Sequence, residues 1–293
     1  METLDLAYVG RGVHEELVAY VADQEGFFEQ EGVHVAVRDG VGWDEQRLRR
    51  GATIGLGRAM LSRLTQGVPW MVLSVNTHRP LFWFLAREAT SVAELRGARL
   101  LVHPAHTAPG CFARIVLRRH GLDPDSDLTC LTRSPGDYAR DLRRLRAGEA
   151  DAAYVGSTLA PEQVAAEEGW QVLAWVGDHF AIPTVGVAVD PTHLDPASPA
   201  VTAAVRANRR ALRLLAEDPD RATAYLRAFL GRLTDHEARA YHARYIAGHF
   251  SADGAVDPDS AQHAVTAVAS ELDVADPPPA AQIYRTDLVP APG

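Results

Sequence analysis

Apolar positions in the first ninety residues switch between a period of two and a period near 3.6. Residues 4–9 read as a strand, and residues 15–25 as a helix with Leu17, Val18, Val21 and Ala22 on one face. Gly26-Phe27-Phe28 caps that helix, and residues 33–37 alternate as a second strand. A short helix is expected from 46–50, a short strand at 53–56 and a helix at 59–66 ended by Gly67. Residues 70–75 read as one buried strand. This rhythm predicts a mostly parallel sheet with helices on both faces.

A second α/β block starts near Leu85. Strands are expected at 99–102, 128–131, 152–155 and 171–175, with helices at 91–95, 110–120, 137–147 and 162–168. The apolar stretch 184–189 then returns to the first block. The remainder is helical (199–216, 221–229, 235–245 and 258–272), and a Pro/Ala-rich tail from Asp276 is expected to wrap the surface. The pattern therefore predicts two α/β lobes with a helical C-terminal region. Residues 1–84 and 181–293 form lobe one, and residues 85–180 form lobe two.

Composition removes several alternatives. Hydrophobic residues make up 47% and charged residues 23% of the 293, ordinary for a soluble globular chain. No apolar run approaches the ~18 residues that a membrane span needs, so no membrane insertion is expected. A net charge of −9 argues against nucleic acid as a partner. The Arg-rich stretch 140–146 sits on a predicted helix beside acidic residues and reads as a solvated face.

All 29 basic side chains are arginine. Without lysine there is no lysine Schiff base, no ordinary pyridoxal phosphate chemistry and no P-loop. No cofactor is expected, and any anion must be held by Arg, His, hydroxyls or backbone N–H groups. Cys111 and Cys130 show no framework spacing, which suits free thiols in a reducing setting. Met1 leads directly into the first strand, with no basic or apolar leader features. The expectation is a cytoplasmic protein, periplasmic or extracellular only if a leader has been removed.

Five stretches in order carry a resemblance. Gly26-Phe27-Phe28-Glu29-Gln30-Glu31-Gly32-Val33-His34-Val35 comes first, then Ala52-Thr53-Ile54-Gly55-Leu56-Gly57. Val92-Ala93-Glu94-Leu95-Arg96-Gly97-Ala98-Arg99-Leu100, His120-Gly121-Leu122-Asp123-Pro124 and Ala147-Gly148-Glu149-Ala150-Asp151-Ala152-Ala153 follow. Together they resemble the SsuA/NMT1/THI5-like group of type II periplasmic-binding-protein folds across residues 4–190. The resemblance implies two lobes joined by two crossings, with the cleft lined by loops at strand C-termini. Intracellular enzymes on this fold include pyrimidine synthases, a sulfinate desulfinase, a chorismate dehydratase and a dihydroxyphthalate decarboxylase. The cysteine-rich signature and lysine of the synthases are absent here. So is the desulfinase's cysteine after strand one, where this chain has Gly10-Arg11-Gly12-Val13-His14.

Candidate site residues follow from the loops. Arg11 and Gly12 would hold an anion near backbone N–H groups, with His14 in the same turn. His78 and Arg79 follow a buried strand; one could move a proton and the other bind a carboxylate. His103 and His106 lie in the richest loop, where Thr107 and the N–H groups of Gly110 and Cys111 are candidate anion donors. Cys111 at a helix start reads either as a nucleophile or as a buried inert thiol. Asp137 is an expected N-cap, and Tyr138, Tyr154, Ser157 and His179 are candidate ligand contacts. His193, His236, His242, His249 and His263 read as solvated, and the HxxH pair lacks a third ligand, so no metal site is expected.

The expected partner is one small organic molecule, anionic or aromatic; homodimerisation stays open. Catalytic roles fall to His103, His106, His78 and His14 in cofactor-independent lyase, decarboxylase or cyclase chemistry. The alternative is a non-catalytic solute-binding protein, carrier or sensor that closes on its ligand.

Overall fold

A computed structural model describes residues 2–55, 57–133 and 138–289. The first part runs β1 (Glu2–Tyr8), α1 (Glu16–Gln24), α2 (Phe27–Gln30), β2 (Val33–Asp39) and α3 (Glu45–Leu48). It continues through β3 (Ala52–Ile54), α4 (Arg58–Gln66), β4 (Met71–Val72) and β5 (Val75–Thr77). α1 buries Leu17, Val18, Val21 and Ala22, the predicted stripe. Gly26 then takes a left-handed φ of 64°, where any side chain would be strained. That turn starts α2 as a separate helix, so Phe27 and Phe28 enter the core instead of merely capping α1.

The middle of the chain forms β6 (Phe82–Ala86), β7 (Arg99–Val102), α5 (Ala108–Arg119), β8 (Thr129–Thr132) and α6 (Tyr138–Arg146). β9 (Ala152–Gly156), α7 (Pro161–Glu168), β10 (Gln171–Trp175) and α8 (Val176–His179) complete it. The expected N-cap Asp137 lies outside the described residues. The chain returns through β11 (Thr184–Val185) and β12 (Ala188–Val189). It ends in α9 (Pro199–Glu217), α10 (Pro219–Leu230), α11 (Asp235–Tyr241), α12 (Pro258–Glu271) and α13 (Ala280–Ile283).

Two five-stranded sheets result, ordered β2-β1-β3-β12-β4 and β10-β6-β9-β7-β8. Each contains a parallel trio, β2-β1-β3 and β9-β7-β8. β12 runs antiparallel to β3 and β4, and β6 runs antiparallel to β9 and β10. The sheets are thus mixed, not mostly parallel. β6 and β12 enter their sheets straight from a lobe crossing, without the helical crossover that would return the chain in parallel. The expected boundary between residues 84 and 85 falls inside β6, whose five residues all pair in the second sheet.

Residues 70–75, expected as one strand, divide between two sheets. β4 stays in the first sheet, while β5 pairs antiparallel with β11 in a two-stranded ribbon. Both lobe crossings therefore lie side by side, tied also by Ile182 N–H to the His78 carbonyl at 2.9 Å.

The C-terminal helices cover the first lobe, with α9 against α1 and α2. Buried Arg209 on α9 donates to the carbonyls of Leu73, Thr286 and Val289. The tail is therefore pinned into the fold, with Ile283 and Tyr284 buried, not laid over its surface. α12 reaches the second lobe: Glu271, with only 6% of its side chain exposed, pairs with Arg114 (2.6 Å) and Arg118 (3.0 Å) of α5.

Candidate ligand-binding site

A cavity of about 420 Å³ opens between the lobes at the C-terminal ends of β1 and β7, the position that parallel strand topology favours. The first lobe contributes Val9-Gly10-Arg11, Glu15, Val41, Glu45 and one face of α4. On that face Arg58, Leu61, Ser62 and Gln66 stand at i, i+3, i+4 and i+8, a single helical stripe. The second lobe contributes Phe82, the loop 103–109 and Tyr138.

His103 is the centre of the second-lobe wall. Its Nε2 lies 3.3 Å from Arg133 Nη1 and 3.2 Å from the Tyr138 hydroxyl. Arg133 is buried and ion-paired to Asp141 at 2.5 Å, with its guanidinium 3.8 Å over the Tyr138 ring. Phe82 meets His103 edge-on and stacks on Tyr154 at 5.1 Å. Burial, reinforced by the Arg133 charge, pushes the His103 pKa down to about 3. Burial likewise raises the Tyr138 hydroxyl far above its ordinary value.

Of the residues singled out in the sequence, Arg11, His103, His106, Thr107 and Tyr138 line this cavity. Arg11 is already paired with Asp39 at 2.5 Å. Thr107 is the N-cap of α5: its hydroxyl accepts from Gly110 N–H at 3.3 Å and donates to the Pro104 carbonyl at 2.7 Å. Cys111 N–H is spent on the Thr107 carbonyl. The expected donors at Thr107, Gly110 and Cys111 are therefore consumed by the helix start itself. Gly110 is required by packing instead, since a Cβ there would sit 2.1 Å from the Pro104 carbonyl oxygen. Cys111 is fully buried and burial raises its pKa to about 12, so the inert-thiol reading describes it.

The other expected site residues lie elsewhere. His14 is buried behind the cavity, its Nδ1 3.4 Å from Ser157 Oγ, and burial lowers its pKa to about 3. Ser157 accepts the Val13 N–H across the lobes, and Gly12 gives its hydroxyl room. Tyr154 is enclosed behind Phe82. His78 accepts the Asp257 N–H at 3.2 Å, and Arg79 pairs with Asp178 at 3.3 Å, both at the crossings. His179 packs on His120, ring centroids 4.7 Å apart. These residues face protein because the crossings and loop turns that carry them close on one another. His242, expected to be solvated, is buried and bonds the Leu215 carbonyl at 2.8 Å; His249 packs on Trp175.

Sequence reading missed Glu15, Arg133 and the α4 stripe. Glu15 is a buried carboxylate packed against Gly10, whose missing side chain makes its space. Arg58 pairs with Glu45 at 3.3 Å. The available signal was the α4 stripe itself: Ser62 and Gln66 are polar where a core-facing helix would be apolar. Among the described residues no group of three or more His, Cys, Asp or Glu could hold a metal ion. No described helix is long and apolar enough to cross a membrane.

Two lobes, paired crossings and an interlobe cavity define a periplasmic-binding-protein fold. The NMT1/THI5-like family model matches residues 15–222, and the chain belongs to that family. Its fold is similar to the aliphatic sulphonate binding protein SsuA of Escherichia coli (TM-score 0.72, 15% identity, 96% of this chain and 91% of that one). SsuA of Xanthomonas axonopodis pv. citri, bound to MOPS, is similar too (0.74, 16%, 96% and 97%). So is the desulfurization enzyme DSZB (0.69, 16%, 99% and 98%). No curated protein sequence matches the chain significantly.

Proposed function

We propose that the chain binds one small organic molecule with an aromatic or apolar body, and that closure on this ligand is its function. The observation that carries this reading is the buried His103–Tyr138–Arg133 network in the wall of a cavity of about 420 Å³. That volume falls within the ~300–1,000 Å³ of small-molecule sites. Phe82, Leu61, Val9 and Pro104 supply apolar wall, and a few polar groups converge on it. Two structural relatives hold small organic acids: the Xanthomonas SsuA holds MOPS, and a DSZB variant holds biphenyl-2-sulfinic acid. A histidine whose pKa lies near 3 is a weak general base at neutral pH, which favours holding over turnover.

Native mass spectrometry of the purified chain tests this directly. A bound mass that disappears on denaturation, and that His103→Ala and Tyr138→Phe fail to retain, is the expected result. Empty protein whose melting temperature no small-molecule library raises would overturn the reading.

One observation favours a second reading, cofactor-independent lyase, decarboxylase or cyclase chemistry. Glu15 places a buried carboxylate in the cavity wall, where it could take a proton from a bound ligand. DSZB gives the precedent of an enzyme on this fold. Conversion of the co-purified compound by the wild type but not by Glu15→Gln would support this reading; its return unchanged would exclude it.

A further inference from the structure

The two cavity walls differ in which polar groups stay open to a ligand. On the second-lobe wall they engage one another: His103 Nε2 meets Arg133 and Tyr138, and Thr107 closes the first turn of α5. On the first-lobe wall the α4 stripe keeps two groups unengaged. Ser62 is only 5% exposed, yet it lines the cavity, and its hydroxyl has no hydrogen-bond partner among the described residues. That hydroxyl keeps accessible surface, so it is not sealed within the helix packing.

Arg58, one helical turn earlier, is held by one edge of its guanidinium. Its Nε donates to Glu45 Oε2 and its Nη2 to the Trp43 carbonyl, both at 3.3 Å. Glu45 is fixed in turn by the Trp70 indole, which donates to its other oxygen. Nη1 has no partner among the described residues, and 35% of the side chain is exposed. A guanidinium is planar and donates in its own plane, so holding Nε and Nη2 sets the direction of Nη1. Glu45 and Trp70 thus position a donor that the fold itself does not use. Side chains at i and i+4 of a helix stand about 5–6 Å apart at Cβ, close enough for one head group to reach both Nη1 and Ser62 Oγ.

We infer that Arg58 and Ser62 are the specificity-determining pair of the cavity, and that they select a planar carboxylate on an aromatic or apolar body. The inference rests on the cavity being a ligand site and names the head group that site takes. One carboxylate oxygen accepts from Arg58 Nη1 and the other from the Ser62 hydroxyl, while Phe82 and Leu61 wall the body. Two oxygens meet two donors, one of them charged. A sulfonate brings a third oxygen. Of the donors that could serve it, Thr107 and the N–H groups of Gly110 and Cys111 are engaged in α5, and Arg11 holds Asp39. That oxygen loses its hydration without a replacement.

Calorimetry of the full chain with 2-naphthoate and naphthalene-2-sulfonate tests it. The carboxylate is expected to bind at least about tenfold tighter than the sulfonate, the scale of one hydrogen bond. Ser62→Ala should weaken 2-naphthoate by about tenfold or more, the scale of a hydrogen bond to a charged group, while the ligand-free melting temperature holds, because alanine suits a helix. Arg58→Gln should weaken it further; if that variant fails to fold, Ser62→Ala decides alone. Equal or tighter binding of the sulfonate overturns the selection, and unchanged binding to Ser62→Ala overturns the assignment of the pair. If neither probe binds, the compound retained in native mass spectrometry decides. A carboxylic acid that Ser62→Ala fails to retain upholds the inference. A compound of another class, or one that Ser62→Ala still retains, sinks the inference alone, whereas an empty chain sinks the binding reading with it.

Discussion

Val13 in the first lobe donates its backbone N–H to Ser157 Oγ in the second, 3.0 Å away and buried. Gly12 makes this contact fit: a Cβ there would lie 2.4 Å from the same hydroxyl, on a backbone φ of 149°. The bond fastens the first loop of one lobe to the end of β9 in the other.

Ser157→Ala should therefore destabilise the fold by about 1–3 kcal/mol, because it leaves the buried Val13 N–H without its acceptor. Gly12→Ala should cost more, because it adds a clash and backbone strain to the same loss. Urea denaturation of the two variants orders them. Equal stability of Gly12→Ala and wild type would contradict the packing described.

Acid should weaken the protein through His14 and His103. Their folded pKa values near 3 lie below the ordinary 6.5 because burial disfavours the charged ring. Between about pH 6.5 and pH 3 the unfolded chain binds two protons that the native chain does not. Stability from this source is whole above pH 6.5 and falls with pH by about 1.4 kcal/mol per unit for each histidine. Denaturation midpoints between pH 7 and pH 4.5 check the slope, which His14→Gln should reduce.

Glu271 is held by both Arg114 and Arg118 and is nearly enclosed. Its removal leaves Arg114 with Asp125 and Arg118 with Asp123 and Asp125, so neither cation is stranded. Glu271→Ala is expected to cost about 1–3 kcal/mol, less than breaking an isolated buried pair. Glu271→Gln should cost less again, because it keeps one acceptor. A thermal melt indistinguishable from wild type would show that α12 does not help to hold α5.

The two thiols should behave differently. Cys111 is buried with its pKa raised to about 12, while Cys130 is exposed and its thiol is raised by partial burial. A thiol reagent at pH 8 should modify Cys130 slowly and Cys111 only after unfolding. Fast labelling of both in the native chain would disprove the burial of α5's first turn.

The fold was legible where hydrophobic period and glycine placement agree, as in α1, β2, α5 and β10. It was obscured where one apolar run serves two sheets. Within residues 70–75 a single buried Ser74 is all that separates Val72 from Val75, too slight a break to announce that they part company. The site was harder to read because a histidine's role depends on what closes over it. His103 and His106 lie in the predicted loop and reach the cavity. His14, two residues beyond an equally suggestive Gly-Arg-Gly, turns back beneath Phe82. Arg133 ends a strand like any solvated arginine, and only the arrival of Asp141 from α6 makes it part of a buried pair.

The pairing of β5 with β11 carries a mechanical consequence. Two independent tethers would let the lobes twist, shear and swing separately. Here the tethers are hydrogen-bonded to each other, Thr77 opposite Thr184 and Val75 opposite Val185, so they deform as one strip. Relative movement of the lobes is thereby reduced towards a single degree of freedom, a swing about the ribbon, and the cavity mouth has one path along which to widen.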